Sequence, residues 1–354
     1  MREDELRKFI ADQVMFTHEV VQYLGISPQR LHQLVKSGKL IPVKQSRSSF
    51  LFLRKDVEER KNEVNRNAGR RPNGTGGEYM RFENDPKIVQ DALNYFTIQS
   101  LCKWAPKRTR SLYDRISACF DMSEPIVKNL NGVSQILQID SSVIVKTYAS
   151  IQKGFSLLPN DTHISRLGQE TYPPYLALTH EAPLFLFMRG NIRLPHLHCV
   201  AIVGTRNPTQ EGIKKASALA ALLGKYRIVV VSGLARGIDR AAHEGALRNN
   251  IPTIAVIGTP ITKTYPKEHE RLQAEIAERG LLISQFAPLS PVHKWNFPAR
   301  NAVMSGICLA TVIVEAGETS GALIQADYAL KQDRFVLYHK APSKIRTFVG
   351  PKIC

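Results

Sequence analysis

A chain of 354 residues exceeds one small core and fits two or three domains. No apolar run approaches the roughly 20 residues of a membrane helix, and "MREDELRKFI" lacks a signal peptide's apolar centre, so the expectation is a cytoplasmic protein with no membrane contact. The formal net charge of +17 calls for an acidic partner, nucleic acid first, and leaves DNA, RNA and nucleotides open.

The five cysteines, Cys102, Cys119, Cys199, Cys308 and Cys354, form no CxxC and have no histidine at metal-ligand spacing. Reduced, mostly buried thiols are expected, with no bound metal and no cofactor.

In "FTHEVVQYLGISPQRLHQLVKSGKLIPVKQ", Thr17 is placed to cap a helix whose apolar face is Val20, Val21 and Leu24. Gly25 supplies the left-handed stop. Ser27 then caps a second helix carrying Leu31, Leu34 and Val35, which makes a helix-turn-helix. "SSFLFLRKDVEERK" adds a short strand and a helix that restarts near Asp56. Through "LGIS", "GKLIPV" and "RKDVEE", residues 1–65 resemble the MerR/excisionase type of winged helix-turn-helix. That resemblance implies that Gln29, Arg30, Gln33 and Lys36 face outward on the second helix, toward duplex DNA. A protein-contact role for the same module is the alternative.

Residues 66–85, rich in Gly, Asn and Arg, read as a flexible basic linker. Residues 86–158 have helical spacing, clearest in "IVQDALNYF" and "SVIVKTYASIQ". Within them "CKWAPKRTRSLYDR" sets basic residues around Trp104 and Tyr113, a composition shared by single-strand stacking platforms and by solvated faces beside core aromatics.

Across residues 160–340 the texture changes. "CVAIVG", "RIVVVSG", "TIAVIG", "LLISQ", "LATVIVEAG" and "RFVLY" alternate with helical stretches such as Gln210–Lys225 and Ile238–Asn249. Continuous apolar strands between helices predict an α/β fold with a Rossmann-like parallel sheet covered on both faces, followed by a basic tail at 341–354.

In such a sheet the strand ends open on one edge, where ligands bind. Five strand-end loops contribute there: Gly204–Thr209, Ser232–Gly237, Gly258–Lys267, Asn296–Asn301 and Glu315–Ala322. Glycine beside hydroxyls at helix starts, with Arg206, Arg236 and Arg300, is a phosphate-holding pattern. No GxxxxGK[ST] and no GxGxxG occurs, which speaks against P-loop NTPases and dinucleotide oxidoreductases.

The ordered pieces "YPPYL", "APLFLFMRGN", "VAIVGTR", "SGLARGIDRAAHEGAL", "YPK", "FPARN" and "VIVEAGETSGALIQADYAL" resemble the DprA/Smf family of DNA-processing proteins. The first two lie before the expected sheet. The resemblance implies an extended Rossmann-like domain, single-stranded DNA binding, a homodimer, a RecA-type recombinase as partner in transformation, and no catalytic residue. Its implied contacts are Gly204, Thr205 and Arg206; Ser232, Gly233, Arg236 and Gly237; Lys263 and Lys267; Arg300 and Asn301; and Ser320 and Gly321. Gln285, His269 and Ala302 depart from the family pattern. Two other readings use the same edge: a nucleotide-sensing module of a defence or mobile-element system, and a nucleotide phosphoribohydrolase-like enzyme, for which Glu315 and Glu318 are the nearby carboxylates.

Overall fold

The computed structural model describes residues 14–58 and 84–348, apart from 27, 43, 46–49, 55, 318–319 and 341–343. Most of the stretch read as a linker, and Cys354, therefore lie outside the described residues.

The N-terminal module runs β1 (Val14–Phe16), α1 (Thr17–Leu24), α2 (Pro28–Lys36), β2 (Lys44–Gln45) and β3 (Phe50–Leu53). The strands form an antiparallel sheet in the order β1-β3-β2. Val20, Leu31, Leu34, Phe50, Phe52 and Val57 close one small core. Gly25 ends α1 with φ +63°, as its position predicts. Thr17 does a different job from capping: its hydroxyl donates to Phe50 O at 3.0 Å and accepts the Phe50 N–H at 2.6 Å, pinning the helix to the wing.

Helices α3 (Pro86–Leu101), α4 (Pro106–Ser117), α5 (Leu130–Leu137) and α6 (Ser141–Phe155) follow. Asp85 caps α3 by accepting the Lys87 N–H, and Pro86 sits at the first helical position, where it costs no hydrogen bond. The bundle is pinned by buried polar groups. Asp91 accepts the Tyr113 hydroxyl at 2.6 Å and pairs with Arg166 at 2.7 Å, and the Asn94 amide donates to Met122 O and Glu124 O. Tyr113 is thus core and no platform for a base.

The remaining chain builds a nine-stranded sheet in the order β12-β11-β10-β6-β7-β8-β9-β5-β4. The strands are β4 (Thr162–Arg166), β5 (Phe185–Gly190), β6 (Cys199–Val203), β7 (Val229–Ser232), β8 (Thr253–Val256), β9 (Leu281–Ser284), β10 (Ala310–Ile313), β11 (Phe335–Lys340) and β12 (Lys344–Phe348). From β11 to β9 all neighbours are parallel. The flanks are antiparallel, β12 on β11 and β5 on β9 with β4 beyond. The segment "FLFMRG", expected ahead of the sheet, is itself a strand of it.

Helices α7 (Gln210–Lys225), α8 (Ile238–Arg248), α9 (Glu270–Arg279), α10 (Asn296–Ile307) and α11 (Gly321–Lys331) cover the sheet. Side chains alternate between its faces with period two. Val229 and Val231 enter one core and Val230 another. Leu186 and Met188 share the first, whereas Phe185 and Phe187 face the α3–α6 bundle, where Phe96 lies 5.4 Å from Phe187. Helices and sheet are therefore joined by one continuous apolar cluster.

Cys102, Cys199 and Cys308 are buried, Cys119 is exposed, and none of the four is in a disulfide. Burial pushes the Cys199 thiol up to about 12. Among the described residues no helix is long and apolar enough to cross a membrane.

Candidate functional site

The strand order reverses at β6: the chain continues through β7, β8 and β9 on one side, then returns to β10 and β11 on the other. A crevice opens at the carboxyl ends of β6 and β10, as it does at such switch points generally. It has a volume of about 690 Å³. Its walls are Gly204, Thr205 and Arg206 after β6, Gly317, Ser320 and Gly321 after β10, and Lys294, Phe297, Arg300 and Asn301 at the start of α10.

The glycines divide into two groups by what surrounds them. A Cβ at Gly204 would lie 2.6 Å from the Ile238 side chain and 2.7 Å from Glu315 O. One at Gly237, where φ is +78°, would strike Thr205 O, and one at Gly233 would strike the Arg300 guanidinium. These three let the loops close on one another, and none is spare room for a ligand. Gly317 and Gly321 face open space, so the second wall is where a ligand can approach the backbone.

The loop after β7 is satisfied from within. The Ser232 hydroxyl is buried and donates to Ile202 O at 2.6 Å. The N–H groups of Gly233 and Ala235 donate to Asp239 at 3.2 and 3.4 Å, so a carboxylate of the protein already fills that anion nest. Arg300 is buried rather than presented. It donates to the carbonyls of Gly233 and Val256 and to Asn301 Oδ1. Burial raises the Asp239 carboxyl, opposed by Arg300 and the loop N–H groups, and burial lowers Arg300.

Arg236 is exposed and bound in a two-point ion pair to Glu268, at 2.7 and 2.6 Å. Lys263 and Lys267 are exposed but lie outside the crevice walls. Ser320 caps α11 by accepting the Ala322 N–H. Asn301 donates to Gly321 O at 3.4 Å, joining the α10 and α11 starts. Arg206 and Lys294 are exposed in the crevice with no ion pair among the described residues.

Lys294 and Phe297 line the wall but are not among the contacts that the resemblance implies. Phe297 lies within the Asn296–Asn301 loop and Lys294 two residues ahead of it, and the signal in "KWNFPARN" is a lysine and an aromatic three residues apart. Tyr265 joins them, with its ring 5.6 Å from Phe297.

Glu315 is not a free carboxylate. It accepts the Thr209 N–H and hydroxyl, and Thr209 in turn caps α7 through the Gly212 N–H. Glu318 lies outside the described residues. On α2, Arg30, Gln33 and Lys36 are exposed on one helical face, and Arg30 donates to Gln33 at 3.1 Å. Gln29 lies in the same helix, with its side chain outside the described residues.

Fold and crevice define a Rossmann-like α/β protein with an anion-compatible switch point, preceded by a winged helix-turn-helix. The chain belongs to the DNA recombination-mediator protein A family, whose model matches residues 163–352. A helix-turn-helix domain model matches residues 17–64. DNA processing protein DprA of Streptococcus pneumoniae is 38% identical over 186 residues, which are 50% of this chain and 66% of that protein. Protein Smf of Escherichia coli K12 is 36% identical over 181 residues, 51% of this chain and 48% of that protein. This chain thus spans between about half and two thirds of the length of these relatives. The X-ray structure of the Streptococcus pneumoniae protein superposes with a TM-score of 0.54 at 30% identity, covering 72% of this chain and 85% of that one.

Proposed function

We propose that the crevice holds the backbone of single-stranded DNA and that the N-terminal module holds duplex DNA. The chain then serves DNA processing or recombination as a binding protein with no catalytic step of its own. The observation that carries this reading is the pair Arg206 and Lys294, exposed cations with no ion pair among the described residues, beside the start of α11. Helix starts and free cations together attract phosphate, and the +17 net charge supplies the long-range attraction. Phe297 and Tyr265 add aromatic faces on which bases can stack.

The family description supports a recombinase as the protein partner. A homodimer is supported by Leu323, Ile324 and Leu330, large apolar side chains left exposed on α11. The second reading, a mononucleotide site, is favoured by the crevice volume, which falls in the range of small-molecule pockets. The hydrolase reading is disfavoured by the engagement of Glu315 at the α7 start.

The test compares single-stranded DNA, duplex DNA and mononucleotides across a salt series. Single-strand affinity should fall linearly in log salt, by about 0.7 per phosphate neutralised. A mononucleotide that displaces the strand at equal concentration would overturn the single-strand reading in favour of the second.

A further inference from the structure

A second pocket, of about 770 Å³, lies on the other side of the α10 start, between α4 and the segment 285–296. Successive residues of "HKWN" divide between the two sites: Lys294 lines the crevice, whereas His293, Trp295 and Asn296 line this pocket. Both tryptophans of the chain, Trp104 and Trp295, are in its wall. Trp295 is 42% exposed and stacks on His293, with ring centroids 5.4 Å apart and planes 16° off parallel.

Asn296 is fully buried, and its side-chain oxygen and nitrogen both lack a hydrogen-bond partner among the described residues. So does the buried Ser290 hydroxyl in the same wall. Unsatisfied buried polar atoms are costly and call for a complement. An amide offers a donor and an acceptor side by side, the complement of a nucleobase edge. The two carboxylates of the wall are already engaged, Asp114 by Arg110 at 3.1 Å and Glu181 by Gln332 at 3.0 Å. Lys107 at the rim has no ion pair among the described residues and can meet a phosphate.

We propose that this pocket seats one nucleotide of a single strand that also occupies the crevice, its base held by the Asn296 amide and the tryptophan faces. The proposal rests on the reading of the crevice as a single-strand site. It makes the ridge 293–297 the divider over which the strand passes from one seat to the next.

The two tryptophans make the pocket self-reporting. The full chain is titrated with oligo(dT), with a mixture of deoxynucleoside monophosphates and with inorganic phosphate, while tryptophan emission and the anisotropy of a labelled strand are read in parallel. Oligo(dT) should quench the emission, and Asn296→Leu should weaken the quenching transition about tenfold with no loss of melting temperature, because the amide has no partner among the described residues. Trp104→Phe and Trp295→Phe should each retain part of the signal. Strand binding seen by anisotropy without any change in emission overturns the pocket. So does quenching that Asn296→Leu leaves unaltered, or quenching by phosphate alone. If no strand binds at all, the crevice reading fails, and the pocket is then decided by the monophosphates: millimolar monophosphate without Asn296-dependent quenching overturns it as well.

Discussion

Asp239 and Arg300 hold the two sides of one residue: Asp239 accepts the Gly233 N–H at 3.2 Å, and Arg300 donates to the Gly233 carbonyl. Both charges are buried, and the loop after β7 is fixed between them. Two arginines drawn from the same sequence pattern therefore have different tasks. Arg300 positions a loop, whereas Arg206 is exposed in the crevice wall with no ion pair among the described residues.

That division predicts different signatures. Arg300→Met leaves the buried Gly233 and Val256 carbonyls without this donor and removes the positive charge near the buried Asp239 carboxylate, and should cost about 3 kcal/mol of stability. Urea unfolding should show the loss, and limited proteolysis should cut near residues 233–237. A variant as stable as the parent would show that the loop does not depend on Arg300.

Arg206→Ala and Lys294→Ala should leave the urea midpoint unchanged, since both side chains are exposed. Each should weaken single-strand binding for every sequence tested and flatten the log–log salt slope by about 0.7. Lys267→Ala, outside the crevice walls, is expected to change the slope less. An unchanged slope in both crevice variants would remove the phosphate contact from this site.

His243 gives a stability prediction. Its Nδ1 lies 2.9 Å from the Thr253 hydroxyl, and that hydroxyl donates to Val230 O. Nδ1 is therefore the donor in that contact. Burial, reinforced by His269 and Arg300, pushes its pKa down to about 3. Between about 6.5 and 3 the unfolded chain takes up a proton that the folded chain refuses, so this contribution is full above 6.5 and is lost as pH falls through the window. Between pH 7.5 and 4.5 the parent's urea midpoint should fall more than that of His243→Gln. Equal falls would mean that His243 is protonated in the native state.

Glu315→Gln should lower stability by about 1 kcal/mol, since a charged acceptor at the start of α7 becomes neutral. Release of free base from nucleoside monophosphates is expected from neither protein. Release by the parent that the substitution abolishes would install a hydrolase.

The α/β core was legible because its apolar runs and helical periods are strong. Gln210–Lys225 was read to the residue. The flanking strand β5 escaped because "FLFMRG" stands apart from the strand–helix alternation and pairs antiparallel, through contacts far away in sequence. The loops that build the crevice were legible by their glycines, but the glycines' purpose was not. Whether a missing Cβ makes room for a ligand or for another loop depends on what packs there, as Gly321 and Gly233 show. Exposure was equally out of reach: Arg206, Arg236 and Arg300 look alike in sequence, and only the fold gives one to Glu268 and another to the Gly233 carbonyl.

The last prediction concerns the two modules acting together. Arg30, Gln33 and Lys36 lie along one exposed face of α2, the geometry with which a recognition helix enters a major groove. A single strand offers no such groove. If the stretch 66–85 tethers this helix to the crevice, engagement of one site raises the local concentration of the other into the millimolar range expected of short flexible tethers. A junction of duplex and single strand should then bind at least tenfold more tightly than either part alone. The triple variant Arg30→Ala, Gln33→Ala, Lys36→Ala should lose that gain and its duplex affinity, and keep its single-strand affinity within about twofold. Because all three side chains are exposed, the folded module is expected to survive the change, which circular dichroism can verify. A triple variant that still preferred the junction would make the module a protein-contact device, and duplex recognition would have to be sought elsewhere on the chain.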